Sequence, residues 1–171
     1  KLGWCGVTLQ DTAEQPVWIM TRDNVTGLIW EIKQDADGTI NYANPNDADN
    51  TYSWYDPNQE NNGGDPGLPG DGTDTQDFID ALNDVNYGGF NDWRLPTIKE
   101  LQTLENSNLG NPSVDTLWFP CTGDWWFYRS STTSTCDVSE AYFLHPSLGT
   151  GIHTLPKDIL FGQARAVRGG N

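Results

Sequence analysis

The chain has 171 residues and carries 24 acidic against 9 basic side chains, a formal charge of −15. More than half of the acids lie in residues 34–93, where there is no Lys or Arg; this argues against nucleic acid or another polyanion as partner, because phosphate recognition needs concentrated basic side chains. Eight Trp, six Tyr and six Phe argue against disorder, which goes with few aromatic residues.

Residues 17–32 read as two short strands. Val17 and Ile19 mark the first, Leu28, Ile29, Trp30 and Ile32 the second, and Asn24 to Gly27 supply the turn chemistry between them. A long acidic loop region follows at about 34–74. It is rich in Asn, Asp and Gly, and a loop this long inside a compact domain is usually functional, metal-bound or mobile. The first helix is predicted over about Thr75–Val85, with Asp74 as its cap and Phe78, Ile79, Leu82 and Val85 on one face. Thr97-Ile98-Lys99-Glu100 is a capping box, which opens a second helix with the stripe Ile98, Leu101 and Leu104. Strands are expected over Trp125–Ser130, Ala141–Leu144 and Gln163–Val167, with a turn at Pro146–Gly151. Strands, two helices and more strands make an α+β domain, and the length suits a single domain over residues 1–171. No apolar run approaches the roughly 18 residues of a membrane span.

Cys121 and Cys136 bracket a Gly, Ser and Thr-rich segment, and a disulfide between them would close a short loop. Cys5 is then left over, either as a buried thiol or as a link to another chain. Without Cys-x-x-Cys spacing, a zinc site is not expected.

Thr26-Gly27-Leu28-Ile29-Trp30-Glu31, Asp92-Trp93-Arg94-Leu95-Pro96-Thr97 with Glu100-Leu101, Arg129-Ser130-Ser131-Thr132 and Val167-Arg168-Gly169-Gly170 occur in that order. Together they resemble the bacterial family typified by the C-terminal domain of the collagen-like adhesin Lcl. The Arg-Leu-Pro-Thr element followed by Glu is also similar to the sulfatase-modifying, formylglycine-generating proteins. These resemblances imply a C-type-lectin-like fold, two helices with a small twisted antiparallel sheet and long binding loops, in a secreted or cell-surface bacterial protein. Within the motif, Trp93 and Leu95 alternate about Arg94, so both can enter the core while the guanidinium pairs with a carboxylate such as Glu31 or Glu100. Arg165 and Arg168 have the same structural reading.

Formylglycine-type oxidation needs a closely spaced cysteine pair, which this chain lacks, and there is no Gly-x-Ser-x-Gly elbow or His-Glu-x-x-His helix. The expected function is therefore a non-enzymatic binding or adhesion module for a glycan or protein surface ligand. The alternative is a structural subunit of a self-assembling filament, a homo-oligomer that binds copies of itself. Flat rings beside amides and carboxylates suit sugars, which singles out Tyr52, Trp54, Tyr55, Trp125 and Trp126, with Trp118 flanking the cysteine loop. Ca²⁺ takes 6–8 oxygen ligands from flexible loops. Two groups are candidates for it, Asp35, Asp37, Asp47 and Asp49, and Asp65, Asp71, Asp74 and Asp77; a merely solvated acidic loop is the alternative.

Overall fold

The computed structural model describes residues 19–60, 62, 70, 72–122, 127–147, 153–159 and 162–170. Two small antiparallel sheets and two helices make a mixed α and β fold. The first sheet has β1 (Met20–Arg22), β2 (Ile29–Glu31) and β6 (Val167–Arg168), with β2 in the middle. The second has β3 (Tyr128–Thr133), β4 (Glu140–Leu144) and β5 (His153–Pro156), with β4 in the middle. Helices α1 (Thr75–Asp84) and α2 (Ile98–Gln102) lie between β2 and β3 in the chain, separated by a 3-10 turn at Tyr87–Gly89.

The β1–β2 hairpin closes through its own turn. Asp23 Oδ1 accepts from Val25 N at 2.8 Å, Oδ2 accepts from the Thr26 hydroxyl at 2.6 Å, and Gly27 takes the left-handed φ of 75° that a side chain disfavours. Side chains alternate along β2 and just beyond it. Leu28, Trp30 and Ile32 enter one apolar cluster with Leu101, Val114 and Phe119. Ile29 on the opposite face meets a second cluster built on Tyr52, Phe78, Leu82 and Trp93. A strand buried on both faces explains why this stretch is so apolar.

Both helix starts form as the sequence predicts. Asp74 accepts from Gln76 N and Asp77 N, and Thr97 and Glu100 complete the capping box. Phe78, Ile79 and Leu82 are buried, but Val85 is 68 % exposed, because the helix ends at Asp84 and Val85 is its C-cap. Helix α2 is a single turn and a half, yet Ile98, Leu101 and Leu104 are all buried.

Residues 34–60 differ from the open acidic loop expected. They enter the core: Ala48, Tyr52 and Trp54 are buried, and Gln34 bridges Asp47 while Tyr52 bridges Gly162. Asparagine side chains supply the backbone partners that regular structure would otherwise give. Asn50 Nδ2 donates to the carbonyls of Asn41 and Asn44 at 3.1 and 2.9 Å. Composition reads such a segment as solvated; its amides instead make it an ordered wall of the second cluster.

Several polar groups are buried with it. Glu31 and Lys33, two residues apart and so on one face, are 0 % and 1 % exposed, with Nζ 3.3 Å from Oε1. Lys33 Nζ donates to the Pro45 carbonyl at 3.1 Å and lies 4.2 Å from the centre of the Phe78 ring. Asn46 Nδ2 donates to the same Glu31 Oε1 at 2.8 Å. Burial lowers the pKa of the Lys33 ammonium, with Glu31 pulling the other way. On the strand's other side Arg165 Nη1 donates to the Glu31 carbonyl at 2.9 Å, and its guanidinium lies between the Phe119 and Tyr128 rings.

Candidate functional site

The family motifs turn out to be framework. Arg94 forms a two-pronged pair with Glu100, not Glu31, at 2.8 and 2.6 Å, and Nη2 also donates to the Gly169 carbonyl. The same Glu100 Oε2 accepts from Thr97 N and the Thr97 hydroxyl, so one carboxylate caps α2 and ties it to the terminal strand. Arg94 holds this carboxyl below its ordinary range. Arg168 pairs with Asp92 at 2.6 and 3.0 Å and stacks 3.6 Å over the Phe90 ring. Trp93 is buried and Leu95 half-buried, as their alternation predicts.

The predicted aromatic ligand residues separate. Tyr52 is 1 % exposed, packed against Phe78 with ring centres 5.1 Å apart, and Trp54 is 3 % exposed, donating Nε1–H to the Ser130 carbonyl at 2.8 Å under the Lys157 ammonium. Neither ring face is open to a ligand, because a ring that closes a core cannot also present its face. Tyr55 is half-buried on the wall of a cleft of about 650 Å³. Trp125 and Trp126 lie outside the described residues.

Among the described residues the predicted metal groups do not come together as a cage. Asp49 Oδ2 accepts from Gly38 N, Asp37 Oδ1 from Thr39 N, and Asp47 Oδ1 from Asp49 N, while Asp35 is exposed. Asp47 is buried, and burial, reinforced by Asp49, Asp35 and Asp37, pushes its pKa up. In the other group Asp74 caps α1 and Asp77 accepts from Gly70 N and Gly72 N; Asp65 and Asp71 lie outside the described residues. Among the described residues, no three His, Cys, Asp or Glu side chains stand close enough together to hold a metal ion.

The expected Cys121–Cys136 bridge is not formed. Cys136 is an exposed free thiol, whereas Cys121 is disulfide-bonded. The reason is distance along β3. Thr122, next to Cys121, hydrogen-bonds Arg165 beside Tyr128 at one end of this strand, and Cys136 lies beyond the other end. A six-residue strand spans about 20 Å, well over the roughly 7 Å that a disulfide allows between Cα atoms. Cys5 lies outside the described residues.

Two hollows remain. The cleft beside Tyr55 includes Arg94, Asn83, Gln76 and Asp80, but these polar groups are already matched internally. Asn83 exchanges two hydrogen bonds with the Trp93 backbone, Gln76 donates to Asp80, and Arg94 serves Glu100. The second, a groove of about 460 Å³, runs between the β1–β2 turn, the end of α2 and residues 115–119. Trp118 stands in it 55 % exposed, whereas Trp30, Trp54 and Trp93 are at most 3 % exposed. The Thr21 hydroxyl donates to the Trp118 carbonyl at 2.8 Å, and Asp115 O accepts from Trp118 N, which fixes the backbone that presents the ring. Around the ring are Arg22, Asp23, Asn24, Thr103 and Asp115. Among the described residues the Arg22 and Asn24 side chains make no hydrogen bond or ion pair, so their donors are available. The Asp23 carboxyl is held below its ordinary range by the Thr26 hydroxyl and stays charged. Sequence reasoning placed Trp118 only beside the cysteine loop; the neighbours that make it a groove come from a hairpin 97 positions away.

Residues 19–168 match the family of the Lcl C-terminal domain, and the chain belongs to that family. No curated protein and no solved structure matches it. Among the described residues no helix is long and apolar enough to cross a membrane.

Proposed function

We propose that the domain is a non-enzymatic binding module of a bacterial cell exterior, built on a C-type-lectin-like scaffold, which takes a saccharide in the groove at Trp118. The observation that carries the reading is the exposed Trp118 in a groove of about 460 Å³ with Arg22 and Asn24, whose side chains have no partner among the described residues. A ring face covers the apolar C–H side of a sugar, and amide, hydroxyl, carboxylate and guanidinium groups around it meet the hydroxyls. Leaving a tryptophan exposed in a chain that buries the other described ones costs apolar burial; ligand contact offsets that cost. The local balance of Arg22 against Asp23 and Asp115 favours a neutral sugar or one with a single carboxylate over a polysulfated chain. Resemblance to the C-terminal domain of an adhesin supports the cell-exterior placement. The test is a glycan array of neutral, uronic-acid and sulfated oligosaccharides, followed by titration of the hits. Binding to neutral or uronic-acid sugars that falls at least tenfold in Trp118→Ala supports the reading; binding unchanged by that substitution removes the groove from it.

A further inference from the structure

We propose that Lys33 and Asn46 join through an intramolecular isopeptide bond formed with Glu31 as proton shuttle. Three observations bring the reactants together. Lys33 Nζ and the Asn46 side-chain nitrogen both contact one oxygen, Glu31 Oε1, at 3.3 and 2.8 Å. Nζ also sits 3.1 Å from the carbonyl of Pro45, the residue directly before Asn46, so the amine lies against the segment it would attack. The third is enclosure: Glu31, Lys33 and Asn46 are 0 %, 1 % and 5 % exposed, and the Phe78 ring covers Nζ.

The backbone holds these side chains in place. Glu31 and Lys33 share a face of the strand by its two-residue repeat. Gln34 N donates to the Asn46 carbonyl and Ala48 N to the Gln34 carbonyl, both at 2.7 Å, which fixes the loop segment beside the strand. Fixed proximity of this kind is what makes an otherwise slow condensation of an amine with an amide feasible. Burial favours the neutral, nucleophilic amine over the ammonium.

The chemistry balances within the chain. The Nζ lone pair attacks Asn46 Cγ, and the Cγ=O electrons move to oxygen to give a tetrahedral centre. Glu31 takes a proton from Nζ and delivers it to Nδ2, which already donates to its Oε1. The carbonyl re-forms, the Cγ–Nδ2 bond breaks, and ammonia leaves. A Lys33–Asn46 amide results, Glu31 is returned unchanged, and no oxidant or cofactor is consumed. Glu31 Oε2 has no hydrogen-bond partner among the described residues and is buried, so the carboxyl has a free oxygen on which to carry the proton. The product would pin the far end of the 34–45 segment to the chain just beyond β2, the middle strand of the first sheet, by a covalent tie insensitive to reductant.

Mass spectrometry of the full, reduced and denatured chain tests this. The expected mass is lower than that of the sequence by one ammonia. Cleavage before Asp35, Asp37 and Asp47 should release a branched peptide joining the Lys33 and Asn46 fragments. Lys33→Arg and Asn46→Ala should restore the full mass, and Glu31→Gln should leave most chains unlinked. Wild-type protein with the full sequence mass and only linear peptides overturns the proposal, whether or not the variants fold. So does an ammonia loss that persists in Lys33→Arg or maps to Asn62-Gly63, where cyclisation of an Asn-Gly pair has the same mass change.

Discussion

Glu100 is the carboxylate on which the Arg-Leu-Pro-Thr geometry of this chain depends, and its replacement gives a calculable loss. It caps α2 through Thr97 and takes both prongs of Arg94, whose side chain is 42 % exposed against 20 % for Glu100. A capping interaction contributes about 1 kcal/mol. A fully buried pair would cost about 3–5 kcal/mol to break and a surface pair 0–1; this half-exposed, two-pronged pair falls between them at about 1–2 kcal/mol. Glu100→Ala should therefore cost about 2–3 kcal/mol, a fall in Tm of roughly 4–12 °C for a domain of this size. Glu100→Gln keeps an acceptor for the cap and isolates the charge, with a loss of about 1–2 kcal/mol. Denaturant unfolding of wild type, Arg94→Met, Glu100→Gln and the double variant gives the coupling directly. The pH dependence has a fixed sign. Because Arg94 depresses the folded-state pKa of Glu100, the stabilisation is complete above the ordinary carboxylate pKa of about 4.3 and is lost as pH falls through the lower folded value. A coupling near zero, or a wild-type advantage over Glu100→Gln that persists undiminished at the lowest pH where the protein folds, would refute this account of the motif.

Asp47→Asn should raise the unfolding free energy at pH 7 in chelator-containing buffer by a few tenths to about 1 kcal/mol, since it keeps an oxygen for Asp49 N and removes a buried charge. The sign reverses that of Glu100: a raised folded pKa means the carboxylate weakens the fold as pH rises past the ordinary range, so the gain should vanish near pH 3. A loss of stability at pH 7 would contradict it. Trp54→Ala should cost about 3–5 kcal/mol in denaturant unfolding, whereas Trp118→Ala should change stability by less than about 0.5 kcal/mol; equal losses would mean that Trp118 is framework.

Local chemistry was legible in the sequence. The Thr97–Glu100 box, the Asp74 cap, the Ile98, Leu101 and Leu104 stripe and the Arg94–Glu100 pair depend on residues a few positions apart, and all are present; Arg165 and Arg168 are framework as expected, but their partners Glu31 and Asp92 lie 134 and 76 positions away. Strand β5 was missed, since His153–Pro156 has no alternation of its own and exists by pairing with β4. The acidic region misled because composition reports solvation of side chains, not which asparagines turn inward to serve backbone groups. For the same reason Tyr52 and Trp54 looked like a ligand platform: a polar neighbourhood in sequence became a core wall in space. The pairing of Glu31 with both Lys33 and Asn46 spans 15 positions and follows from the return of the loop beside β2, which no local pattern announces.

The central claim is that Trp118 is a binding residue held by a rigid frame. Titrating the best array hit into wild type and Trp118→Ala, with thermal melts of both proteins alongside, tests it most directly. The account predicts a tenfold or greater loss of affinity, about 1.4 kcal/mol or more, with the same Tm in the two proteins. Undiminished affinity in a Trp118→Ala domain of wild-type stability would contradict it.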